Sequence, residues 1–258
     1  MVFSMKLYFT TLRFNRMLKT SKGPNMKKWT IVFFMVLLWT IPSSWALDGR
    51  KIIELQRNRH GVESAQDHSV MLLIDKKGKR NVREIKRYGK KLENGLRRSM
   101  LVFTLPKDLK GTALLTWEIA PGEYKQWLCL PDKKSLQRIS SQSNRTPFMG
   151  SDFTYEDMPA TQEIGKKSAY GKRRVWIQKD IYFTVKIQFF NRRNTLMKTQ
   201  TSHSLKNSHG RVWYAKKVLM DNHLKNHKTL MGIKTKQVNI DIDDDFFTEK
   251  TILGGKYL

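Results

Sequence analysis

Apolar and polar positions alternate with a period of two along most of this chain, which predicts strands rather than helices. Val70, Leu72 and Ile74 share one face of the first run, and Lys77-Gly78 turns the chain into a charged strand over 80–88. Leu101, Phe103 and Leu105 share a face within 99–105, as do Ala113, Leu115, Trp117 and Ile119 within 112–119. Pro121-Gly122 leads into 124–130, and Pro131-Asp132 leads into 136–140. In the second half, 173–178 precedes the most regular alternation. There Phe183, Val185, Ile187 and Phe189 oppose Tyr182, Thr184, Lys186 and Gln188. Turn residues at 191–194, 209–210 and 222–226 then separate strand candidates at 195–201, 211–219 and 228–235.

Helical candidates are few. Asp48 can cap a stretch carrying Ile52, Ile53 and Leu55 that Gly61 ends; a short helix is expected at 155–158 and a turn at 243–247. The expected architecture is mainly β with a few α-helices: about seven to ten strands in hairpin order, forming a curved antiparallel sheet or part-barrel covered by the helices. Such a shape leaves an apolar hollow.

The first 46 residues hold no acid and read as a targeting segment. From Met26, Lys27 and Lys28 make a positive start, 29–41 is an apolar run, Pro42 breaks it, and Ser44-Trp45-Ala46 is a small-x-small cleavage site. The run is shorter than the ~20 apolar residues of a membrane-spanning helix. Residues 26–46 are therefore expected to be a signal peptide cleaved after Ala46. Residues 1–25 are an upstream stretch before the preferred start at Met26, and 47–258 form a single domain exported from the cytoplasm.

Charge sharpens the choice of partner. The chain of 258 residues carries a net charge of +27, and the expected mature part keeps 42 basic against 22 acidic residues, or +20. That excess suits nucleic acid or an anionic membrane surface, and export favours the membrane. The single cysteine, Cys129, cannot form an internal disulfide and reads as a small core residue. A polyanion-binding reading rests on charge alone, with no recognition helix, zinc finger or aromatic strand signature beside it.

Chemistry-bearing patterns are weak. No triad, metal set or phosphate loop can be assembled, so no catalytic residue, cofactor or metal is expected. His223 and His227 lie four apart, but Asn222 and Asn226 mark a turn there, which would not put both imidazoles on one helical face. Glu156 and Asp157 are adjacent and would point apart, with no nucleophile nearby. Trp117, Trp127, Trp176 and Trp213 fit strand packing, and each could line a hollow.

The least sheet-like stretch is 146–158, which contains the string FMGSDFTYEDM, 148–158. Together with KGTALLTWE (110–118), QWLCLPDKKSLQRIS (126–140), LIDKKGKRNVREIKRYGKK (73–91), RRVWIQKD (173–180), MDNHLKNHKTL (220–230) and DIDDDFFTEKTI (241–252), it closely resembles the outer membrane lipoprotein-sorting protein family with a LolA-like fold. The resemblance implies an unclosed antiparallel barrel plugged by helices. It also implies a monomeric periplasmic carrier that shields the acyl chains of a lipid or lipoprotein on the way to an outer-membrane acceptor, working with an inner-membrane exporter of the resistance-nodulation-division type. Each methylene buried is worth about 0.8 kcal/mol, so an apolar hollow suffices without catalysis. The lining is assigned to Trp117, Trp127, Phe148, Met149, Phe153 and Tyr155. Gly150, Ser151, Asp152, Glu156 and Asp157 are assigned to a gate or a structural loop, the latter being favoured. The chain departs from the family between 159 and 172, where members continue through further strands. A shortened, inactive relative is the alternative that this departure raises.

Overall fold

The computed structural model describes residues 48–131, 135–159, 168–208, 210, 212–255 and 257. The expected signal peptide at 26–46 and the upstream stretch at 1–25 lie outside the described residues. From Glu54 onward the described residues cluster as one compact unit.

One antiparallel sheet of eleven strands organises that unit. Its first half is β1 (Ser64–Ile74), β2 (Arg80–Lys91), β3 (Arg97–Leu105), β4 (Ala113–Ala120), β5 (Glu123–Leu130) and β6 (Ser135–Arg138). Its second half is β7 (Lys172–Gln178), β8 (Phe183–Phe190), β9 (Leu196–Ser208), β10 (Val212–Asn222) and β11 (His227–Val238). Helix α1 (Gly49–His60) precedes the strands and helix α2 (Glu249–Gly254) follows them, with short 3-10 turns between β6 and β7 and before α2. The strands exceed the expected seven to ten because every alternating segment forms its own strand. The sequence pattern also stops short of several ends. β9 runs on to Ser208 through a polar stretch that has no apolar alternation, because β10 supplies its backbone partners there.

Local chemistry explains the hairpins. In the β1–β2 turn the Asp75 carboxylate accepts the amides of Lys77 and Lys79 at 2.8 and 2.9 Å, and Gly78 takes φ 81°. Asn191 accepts the Thr195 amide at 2.9 Å in the β8–β9 turn, with Asn194 at φ 64°. Helix α1 gathers Arg57, Arg59 and His60 in its last turn, where cations complement the carbonyl end. Helix α2 is capped by Thr248, whose hydroxyl accepts the Thr251 amide at 3.2 Å.

The strand order is β6-β5-β4-β3-β2-β1-β11-β10-β9-β8-β7. Each half is a meander, and β1 pairs with β11 to join them. β6 and β7 are consecutive in the chain yet form the two edges of the sheet. Their connection must therefore run from one edge to the other, and its described apolar side chains gather on one face. Directly paired residues share that face: Met71, Leu73, Ile85, Leu101, Phe103, Leu114, Leu128, Met220 and Met231 pack with Phe148, Phe153, Tyr155 and Tyr170 of the connection.

The sheet curls around this connection. Gln126 on β5 donates to the Tyr155 carbonyl at 3.2 Å, while the next residue, Glu156, pairs with Arg173 on β7 at 3.3 Å. β5 and β7 are nine strand spacings apart, about 43 Å in a flat sheet at ~4.8 Å per spacing. Neighbouring residues can reach both only if the sheet is bent into an open half-barrel, with the connection on its inner face.

The outer face has its own cover. Met100, Val102, Ala113, Leu115, Trp127 and Cys129 pack against Ile242, Phe247, Ile252 and Tyr257 of the C-terminal segment. Trp117 Nε1 donates to the Phe247 carbonyl at 2.8 Å, and the Tyr257 hydroxyl donates to the Gly111 carbonyl at 3.0 Å. Cys129 is buried in this layer, where burial pushes its thiol pKa up. Among the described residues no helix is long and apolar enough to cross a membrane.

Candidate functional site: the plug on the inner face

The connection folds by local rules before it meets the sheet. Pro147 and Thr154 form an isolated bridge, and the Ser151 amide donates to the Phe148 carbonyl at 2.9 Å. Inside this loop Met149 and Gly150 both take positive φ, 48° and 76°, so the chain reverses sharply and Phe148 and Phe153 turn the same way. Thr154 then caps the 3-10 turn Tyr155–Asp157 as half of a capping box: Asp157 accepts both the Thr154 amide and its hydroxyl at 2.8 Å.

The apolar side chains of the loop fill the inner face. Phe148 is fully buried, stacked on Phe103 with centroids 5.7 Å apart and edge-on to Tyr155 at 5.3 Å. Phe153 is buried beside them, and Met149 is partly buried against the same cluster. Arg83 of β2 reaches over Phe103 and donates to the Met149 carbonyl.

Three acids fasten this plug to three strands of the second half. Asp152 accepts from His227 Nδ1 of β11 at 2.6 Å and from the Thr229 hydroxyl at 2.7 Å, while its own amide donates to that hydroxyl at 3.0 Å. Glu156 accepts from Ser168, from the Ala169 amide at 2.9 Å and from Arg173 of β7 at 3.3 Å. Asp157 meets Lys198 of β9 at 2.5 Å, and their side chains are only 3% and 5% exposed. The Lys198 ammonium also donates to the Asp152 carbonyl at 3.0 Å and lies 5.2 Å from the ring centres of Tyr170 and Phe189. Tyr170 donates to Asp157 at 3.0 Å; burial, then the negative charge of Asp157, pushes its phenol pKa far up.

Further along the inner face Asp67 is buried between Ser69 and Arg87, at 2.7 and 2.9 Å. Burial pushes its carboxyl up, but Arg87, Ser69 and Lys236 outweigh that and hold it below the usual carboxylate range. An open, mostly polar recess of about 370 Å³ lies at the β5–β6 edge, lined by Tyr124, Gln126, Arg138, Ile139 and Asn144 among others.

The structure thus brings together Phe148, Met149, Phe153 and Tyr155 with Gly150, Ser151, Asp152, Glu156 and Asp157. It does not bring Trp117 and Trp127 to them. These two meet edge to face, with ring centres 4.7 Å apart, on the outer face beneath the C-terminal segment, because strand parity turns Leu114 and Leu128 inward and their neighbours outward. His223 and His227 also part: His223 meets Thr199, whereas His227 holds Asp152. No group of three metal-ligating side chains occurs among the described residues. Sequence reasoning missed Lys198, Arg173, His227 and Thr229 as partners of the acids. No pattern within a single strand marks them, since only the register brings them to one face.

This architecture, an open eleven-stranded antiparallel sheet with two helices, is the LolA-like half-barrel. The chain superimposes on a domain from Vibrio parahaemolyticus described as an outer membrane lipoprotein-sorting protein, with TM-score 0.75, 24% identity, and 79% of this chain and 97% of that one covered. A DUF1329 family protein from Desulfovibrio piger follows at TM-score 0.72 and 19% identity, with coverage of 79% and 98%. A LolA superfamily protein from Nitrosomonas europaea matches at TM-score 0.62 and 17% identity, with coverage of 80% and 99%. A search of the curated proteins finds no match. One family model, described as that of an uncharacterized protein, matches residues 95–167 and 159–253. Those stretches take in more than half of the chain, and the chain belongs to that family.

Proposed function

We propose that this protein is a periplasmic carrier that shelters the acyl chain of a lipid or lipoprotein against the inner face of its half-barrel. The observation that carries this reading is the plug. Phe148, Phe153 and Tyr155 occupy an apolar concavity bounded by strands from both halves of the sheet, and they belong to a connection rather than to the sheet itself. A loop that fills an apolar face can leave it, and an acyl chain supplies equivalent contacts at about 0.8 kcal/mol per methylene. The fold shared with a described lipoprotein-sorting domain supports the same reading. Delivery by an inner-membrane exporter of the resistance-nodulation-division type, transfer to an outer-membrane acceptor, and action as a monomer without catalysis complete it.

Native mass spectrometry with lipid extraction, on protein recovered from the periplasm of a Gram-negative host at high salt, tests the proposal. A stoichiometric adduct with the mass of a phospholipid or acylated peptide is expected. Folded protein that stays free of lipid after lipid is offered in detergent overturns it.

A further inference from the structure

The charge of this protein is sorted by the ends of its strands. β1, β3, β5, β8 and β10 finish at one end of the sheet, and β2, β4, β9 and β11 start there, so the same end collects four described hairpin turns. The β1–β2 turn exposes Lys76, Lys77, Lys79 and Arg80. The β3–β4 turn exposes Lys107 and Lys110, and the β8–β9 turn Arg192 and Arg193. Lys225 and Lys228 stand exposed at the β10–β11 turn, and Lys172 at the start of β7. The acids within the same stretches are Asp75, which is spent on its own turn, Asp108, and Asp221, which meets Lys228 at 3.2 Å.

The opposite end differs. Its turns and the segment leaving β11 expose Glu63, Glu93, Glu123, Asp180, Asp241 and Asp243–Asp245, with Lys179 as a cation among them. Two further observations belong to the basic end. Leu224 at the tip of the β10–β11 turn is 59% exposed, and Leu105 and Val82 beside neighbouring turns are 50% and 57% exposed. The plug also sits there. Its partners Leu73, Phe103, Phe189, Met220 and Thr229 all lie within two residues of strand boundaries at that end.

We propose that this basic end is a docking surface for an anionic phospholipid bilayer, and that docking sets the plug against the membrane. The inference rests on the carrier reading and adds its membrane partner. Clustered cations gain roughly fivefold in binding per Lys or Arg near an anionic leaflet, and exposed leucines among them enter the headgroup boundary. The strands that carry these turns have 8 to 13 residues and separate the two ends by about 26 Å or more. That exceeds a Debye length of ~8 Å at physiological salt, so the acidic end does not cancel the attraction.

The test is co-sedimentation of the full chain with vesicles of phosphatidylcholine alone or with phosphatidylglycerol added. Binding is expected only to the anionic vesicles and should weaken with salt. Lys76→Glu, Lys77→Glu and Lys79→Glu together should reduce it about a hundredfold or more. The charge-matched reversal at the other end, Lys125→Glu, Lys179→Glu and Lys206→Glu, should cost under about tenfold, the added charges being screened. Leu224→Ser should weaken vesicle binding roughly tenfold and leave binding to soluble heparin unchanged. Equal binding to both vesicle types, equal losses from the two triple reversals, or equal effects of Leu224→Ser on vesicles and heparin would each overturn the docking surface. Lipid uptake from detergent, measured on the same variants, keeps the outcomes separate. Loading that survives in a variant that no longer binds vesicles leaves the carrier reading standing, and loading absent from every form refutes that reading whatever the vesicles show.

Discussion

Replacing Lys198 by methionine isolates the fastening of the plug. Methionine keeps most of the length and apolar contact of the lysine stem over Tyr170 and Phe189, and removes the ammonium that meets Asp157 at 2.5 Å and donates to the Asp152 carbonyl at 3.0 Å. Both side chains are at least 95% buried, so the variant strands a carboxylate in the protein interior. Removing one member of a buried pair costs about 3–5 kcal/mol. Asp157 keeps the Thr154 amide, the Thr154 hydroxyl and the Tyr170 hydroxyl as donors, which places the expected loss near the lower value, about 3 kcal/mol. For a domain of this size that lowers the melting temperature by roughly 6–12 °C. Urea denaturation of Lys198→Met, Asp157→Asn and the double variant gives the coupling directly. The double variant should recover a substantial part of the loss, since no unpaired charge remains. A single-variant loss below about 1 kcal/mol, or losses that simply add, would refute the claim that this pair anchors the plug.

Three further substitutions probe other parts of the sheet and its connection. Gly171→Ala should destabilise by about 1–3 kcal/mol in a thermal melt, because a Cβ there would lie 2.7 Å from the Arg192 Cα and the Asn191 carbonyl oxygen, while Gly232→Ala, with open space around it, should stay within about 1 kcal/mol of the parent. Asp67→Asn should cost about 1–2 kcal/mol at pH 7, at the low end for a hydrogen-bonded charge because Arg87 is 35% exposed. The folded carboxyl is held below its usual range, so its contribution is complete above the unfolded value near pH ~3.9 and disappears as pH falls through the folded one. Stability measured from pH 7 down to pH 2 should show the two proteins converging, and a gap that persists unchanged in acid would contradict the assignment.

The legible part of the site was its loop. Composition alone set 148–158 apart from the alternating segments on either side, and the run of acids in it was visible as a run. Its role was not, because Asp152, Glu156 and Asp157 acquire meaning from Lys198, Arg173 and His227, which lie on separate strands and up to 75 positions away. Trp117 and Trp127 show the complementary failure. Alternation puts Trp117 with Leu115 and Ala113, but a two-sided sheet has two candidate interiors, and only the C-terminal cover makes theirs the outer one.

Period-two alternation and Asp, Asn and Gly turn chemistry were enough to place every strand of the sheet and the N-terminal helix, since both act over a few residues. The tertiary structure decided the rest by closing pairs distant in sequence. Pairing β1 with β11 sent β6 and β7 to opposite edges, so the chain between them had to cross the sheet. That crossing turned a loop into a plug, chose which face is inner, and brought the acids of the connection together with bases from three strands. Free energy for such an arrangement comes from long-range burial and register, and neither leaves a mark on any single segment of sequence.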